Sequence, residues 1–158
     1  MKFYLKPILS VLALAVLLAY SGCGGKNNPG PSVEEVQLGK LSAAWKVGST
    51  GDVTLDAVSK KTDYQNFTLT LTGSAGATTY NFVKTGGPAL TPFPTSGSWK
   101  FGTNPETDIL IGDGDKQLNA TYSVTDSQLQ ITFNYQGAGE ASRTGEVKGT
   151  WVFTLVKQ

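Results

Sequence analysis

Histidine is absent from this 158-residue chain, and cysteine and methionine each occur once. Without histidine there is no Ser-His or Cys-His nucleophile pair, no imidazole metal ligand and no imidazole general base. One cysteine allows neither an intrachain disulfide nor a CxxC zinc or redox site. Lys and Arg number 13 against 12 Asp and Glu, a formal charge of +1, which gives no electrostatic reason to bind nucleic acid. Long apolar runs are also missing. The longest largely apolar stretch, Ile8–Ala19, is 12 residues, about 18 Å as a helix and too short for a hydrocarbon core of about 30 Å.

What is present begins with an address. Lys2 and Lys6 precede that apolar stretch, and the small residues Ser21 and Gly22 follow it, directly before Cys23. This layout is that of a secretory signal peptide over residues 1–22. Tyr20-Ser21-Gly22-Cys23 resembles a bacterial lipobox, with Tyr20 where an aliphatic residue is usual. The resemblance implies acylation of Cys23 and a membrane partner reached through lipid. Gly24 stands where an inner-membrane lipoprotein carries aspartate, so the expected location is the outer membrane, on its periplasmic or surface side.

Residues 23–37 then read as a lipidated end and a flexible linker. Gly24–Pro31 holds no residue that builds a core. Ser32 and Glu35 form an S-x-x-E pattern, which predicts one helical turn near 32–37.

From residue 38 to the end, apolar and polar residues alternate with period two, as in Phe67-Thr-Leu-Thr-Leu71 and Leu129-Gln-Ile-Thr-Phe133. Strands are expected near 41–48, 53–57, 67–73, 78–85, 97–102, 108–112, 118–125, 128–136 and 147–157. Each has one apolar face, as antiparallel strands around a single core require. The fold class is therefore all-β: an antiparallel up-and-down meander of eight to nine strands closed into a barrel. Tryptophans 45, 99 and 151 each follow a small residue by two positions, pairing a gap with a bulky ring on one strand face.

Leu41 with Trp45 four residues later resembles the L-x-G-x-W opening of lipocalin-like domains, with Ala43 at the glycine position. Together with the leader, Gly97–Gly102 and the closing Gly149–Leu155, the chain is similar to lipocalin-like lipoproteins of the Bacteroidota. The resemblance spans 38–158. It implies that Trp45 packs at the closed base of the barrel and that a small apolar molecule is the ligand class.

Connections after the second, fourth, sixth and eighth expected strands (58–66, 86–96, 113–117 and 137–146) are mostly long; the others are short. Long loops should thus gather at one end, a mouth held by a rigid scaffold. Tyr64, Phe93 and Arg143 are the candidate ligand contacts there. Lys60, Asp63, Glu140 and Glu146 share that end. Phe93, stiffened between Pro92 and Pro94, either meets a ligand or packs over the core. The rings of Tyr80, Phe82, Tyr122, Phe133 and Tyr135 either line a cavity or fill it.

Asp113-Gly114-Asp115 has two carboxylates in the spacing of a calcium loop but lacks the remaining ligands, so an acidic turn is expected, with no metal and no cofactor. Glu140 and Glu146 share one loop with Arg143, which favours ion pairing over acid–base work. No catalytic constellation assembles. The expected function is a non-enzymatic, membrane-anchored lipoprotein that binds a small apolar or glycan-derived ligand at the long-loop end; the alternative is a non-catalytic accessory module that contacts an envelope protein complex.

Overall fold

A computed structural model describes residues 30–114, 117–137 and 147–158, and the chain from Pro31 onward forms one compact unit. Cys23 and the expected signal peptide lie outside the described residues, as does Arg143.

The first element among the described residues is a helix, α1 (Val33–Leu41), longer than the single turn expected. Its start follows the sequence signal. The Ser32 hydroxyl accepts from the Glu35 amide, and the Glu35 carboxylate accepts from the Ser32 amide, satisfying two donors that the helix itself leaves open. Its extension was harder to read because Val33 and Val36 face solvent while Leu38 and Leu41 are buried. The apolar spacing thus marks two different faces. Leu41 closes the helix, so the strand expected from 41 begins only at 44.

Ten strands follow: β1 (Ala44–Lys46), β2 (Asp52–Leu55), β3 (Val58–Ser59), β4 (Thr68–Thr72), β5 (Tyr80–Thr85), β6 (Ser96–Phe101), β7 (Asp108–Ile111), β8 (Leu118–Val124), β9 (Gln128–Tyr135) and β10 (Gly149–Lys157). A short helix, α2 (Lys61–Tyr64), lies between β3 and β4. The sheet runs β1-β4-β5-β6-β7-β8-β9-β10, all antiparallel, and β10 pairs back onto β1. The result is a closed, eight-strand, lipocalin-like β-barrel. Closure leaves no free edge among these eight staves.

One expectation is corrected at the seam. The first two expected strands were to be neighbours in a meander, yet β1 and β2 do not pair with each other. Both pair with β10, Trp45 opposite Lys157 and Val53 opposite Phe153. They are one stave broken by residues 47–51. The break closes on itself through the Gly51 amide, which donates to the Val47 carbonyl at 3.0 Å. A Cβ on Gly51 would lie 2.1 Å from that oxygen and 2.4 Å from the Thr154 carbonyl, so only glycine lets the backbone approach β10 so closely. β2 then turns into β3 through Asp56 and Ala57, both at positive φ (48° and 65°), the signature of a tight hairpin turn.

This topology sets the two ends. The connections 56–67 and 86–95, the ends of β7 and β9 and the start of β10 fall at one end. Residues 73–79, 102–107 and 125–127, with the entry from α1, fall at the other. The expected gathering of long loops therefore appears, with the 47–51 break sitting in the wall instead of at an end.

Side chains fill the interior. Trp45, Leu69, Leu71, Phe82, Trp99, Ile109, Ile111, Leu129, Ile131, Phe153 and Leu155 are almost wholly buried in one cluster, as a narrow barrel of eight strands permits. Trp45 lies at the α1 end, where its indole N–H donates to the Leu41 carbonyl at 2.9 Å and the Lys157 ammonium stands 5.8 Å from its ring centre.

Candidate functional site at the long-loop end

The aromatic residues assigned to the mouth by sequence form its stopper. Phe93 is fully buried, folded in by its proline-rich loop. Its ring centre lies 4.9 Å from Phe153, 5.5 Å from Phe133 and 5.8 Å from Phe67. Such centroid distances are those of favourable edge and tilted ring pairs. Phe93 offers no surface to a ligand; it packs over the core, the second of the two roles weighed for it.

Tyr64 is brought in by α2, and its ring centre lies 5.4 Å from Phe153, 5.6 Å from Phe67 and 5.7 Å from Trp151. Its hydroxyl is sealed from water and completes no hydrogen bond of ordinary geometry. The nearby Thr91 side chain favours the phenolate to a lesser extent, but burial dominates and pushes the Tyr64 pKa up to about 12, with the Asp63 charge adding to the rise.

Tyr80, Phe82, Tyr122 and Phe133 point inward, and Tyr135 is half-buried. They pack within the core: the Tyr80 ring centre lies 4.6 Å from that of Trp99, tilted against it, near the α1 end. The Tyr122 hydroxyl donates a short hydrogen bond to the Pro105 carbonyl, tying β8 to the 102–107 connection.

A cleft of about 480 Å³ opens outside the stopper, lined by Lys60, Asp63, Tyr64, Pro88, Leu90, Val147 and Trp151. Comparison with protein-family models, with characterised proteins and with solved structures finds no match to this chain. The cleft itself must therefore supply the argument. It sets one ammonium and one carboxylate beside an apolar strip from Pro88 and Leu90. Lys60 and Asp63 are held by the α2 turn, in which the Asp63 amide donates to the Lys60 carbonyl at 3.0 Å. The proline-rich loop is fixed at Gly86, whose φ is +65° and whose absent Cβ would meet the Asn66 carbonyl at 1.9 Å.

Sequence reasoning found Lys60, Asp63 and the loop carrying Leu90 but missed Trp151, which the alternation assigns wholly to the core. Its indole N–H donates to the Val147 carbonyl at 2.7 Å, and this local bond fixes one wall of the cleft. Only the position of Trp151 at the start of the last strand, beside the long-loop end, could have signalled this.

Asp113 is engaged as a turn residue. Its carboxylate accepts a short bond from the Ser98 hydroxyl and one from the Ser98 amide, which together hold its pKa below the usual carboxylate value. Asp115, Glu140 and Glu146 lie outside the described residues, and among the described residues no cluster of three potential metal ligands occurs.

Proposed function

We propose that the chain is a non-enzymatic lipoprotein, anchored through Cys23 in the outer membrane, whose barrel is a solid scaffold for a small ligand bound at the long-loop end. The cleft under Lys60, Asp63 and Leu90 carries the reading: it lies where the connections 56–67 and 86–95 meet Val147 and Trp151, and loops on rigid frames are where proteins commonly bind. Its mixed lining favours an amphipathic or glycan-derived molecule, with a polar group for Lys60 and Asp63 and an apolar part against Pro88 and Leu90. The buried rings that pack the interior favour binding at the cleft over an apolar ligand held among the inward aromatics.

Native mass spectrometry of the protein purified from its own envelope tests this reading. A bound mass lost from Lys60→Ala/Asp63→Ala supports it, and a wild-type protein that is always ligand-free refutes it. The anchor has its own test: Cys23→Ala should move the protein from the membrane fraction to the soluble one, and membrane retention of the variant would refute anchoring. The alternative of an accessory module gains from the same solid interior. It predicts that an envelope protein, and no small molecule, co-purifies with the wild type.

A further inference from the structure

The outward positions of β8 and β9 contain no charged residue: asparagine, threonine, serine and glutamine fill every one. Charged residues make up only 16% of the chain, against about a quarter in ordinary globular domains, and this wall shares in the deficit. An open groove of about 510 Å³ runs along it, with Leu110, Asn119, Thr121, Thr132 and Asn134 in its lining. Register sets these groups in facing pairs. Thr121 stands opposite Thr132, and Leu110 opposite Asn119. Strand spacing puts neighbours about 4.8 Å apart across the sheet. The Asn134 amide is oriented in advance, donating to the Thr150 hydroxyl at 3.4 Å and accepting a short bond from Gln136. The one acid at the groove, Asp108, has its carboxylate taken up by the Asn104 amide and the Thr107 hydroxyl.

From this we infer that the β7–β9 wall is a second binding surface, separate from the long-loop cleft, and that its occupant is a neutral polysaccharide chain. Hydroxyl and amide side chains each offer a donor and an acceptor, which matches the hydroxyls of a sugar. A polyanion would find no opposite charge in the groove, and a polycation only the Asp108 carboxylate, already engaged by Asn104 and Thr107. The groove's surface is largely non-polar, with Leu110, Ala120 and Phe133 in its lining beside the amides and hydroxyls, a combination that suits the C–H faces and the hydroxyls of sugar rings together. The groove is open instead of enclosed, which suits a chain passing along it.

Affinity electrophoresis of the folded protein through gels cast with a neutral β-glucan, a neutral α-glucan, a mannan or anionic polygalacturonate tests the inference. At least one neutral polymer should retard the wild type, and the retardation should persist at high salt. Asn119→Ala/Thr121→Ala should weaken the interaction about tenfold, as expected for two lost hydrogen-bonding side chains. Asn81→Ala/Thr85→Ala, on exposed positions of β5 away from the groove, should not. Amide shift mapping of the wild type should place the changes on β7–β9, which keeps the test valid even if the double variant fails to fold. Retardation by no neutral polymer, by polygalacturonate alone, or equally lost in the β5 control would overturn the inference.

Discussion

At the scale of single residues, the aromatic stopper separates two roles that look alike in sequence. A phenylalanine between prolines at a loop tip suits a ligand contact as well as a plug; only its burial decides. Phe93→Ala should destabilise by about 3–5 kcal/mol, the usual cost of removing a buried ring, measured by urea unfolding. A loss below about 1 kcal/mol would mean that the ring is not packed as described. Tyr64 offers the opposite case. Its hydroxyl is buried without completing a bond, so Tyr64→Phe should be neutral or stabilising by up to about 1 kcal/mol. The sign of its pH effect also follows. The folded pKa is raised from 10.0 to about 12, so the contribution is fully present below pH 10 and lost as pH climbs from 10 to about 12. Phenolate absorbance near pH 10 should be the same for the folded wild type and folded Tyr64→Phe, and should differ by one tyrosine once both are unfolded, because native Tyr64 does not titrate there.

At the scale of elements, what could be read from sequence was set by periodicity. The strands from β4 to β10 alternate cleanly because each has one buried and one wet face, and the structure places them within a few residues of the expected bounds. The seam was not legible. The break between β1 and β2 depends on a backbone approach at Gly51, a three-dimensional fact with no local pattern. The β2–β3 turn uses Asp56-Ala57 where such turns favour Asn-Gly or Asp-Gly, and so read as strand. Helix α1 was shortened in the reading because Val33 and Val36 face water.

Two predictions belong to these elements. Ala57, at φ +65°, is in a conformation that costs a side chain about 1 kcal/mol. Ala57→Gly should recover a good part of this despite the looser unfolded chain, seen as a higher midpoint of thermal unfolding. Gly51→Ala should cost about 2–3 kcal/mol, because the new Cβ would collide with two carbonyl oxygens that the seam cannot move apart. A neutral result would show that the β1–β2 break does not lie against β10.

At the scale of the whole molecule, the sequence announced the barrel and the end with the longer loops, because both follow from strand count and loop length. It could not announce whether that end was open. Filling depends on which rings meet, and Phe93, Phe133 and Phe153 come from three distant parts of the chain. Lys60 and Asp63 were legible at the site as polar residues of a long loop; Trp151 was hidden in a strand pattern. The central claim is that a solid barrel binds at its long-loop end, outside the aromatic stopper. All three tryptophans are buried, but only Trp151 of the three borders the cleft, so their indole N–H groups report on this directly. The decisive measurement is an amide and indole spectrum of the domain titrated with small-molecule extract from its own envelope. The account predicts that the Trp151 indole signal shifts while those of Trp45 and Trp99 stay in place; saturable shifts at Trp45 or Trp99 with Trp151 unmoved would contradict it.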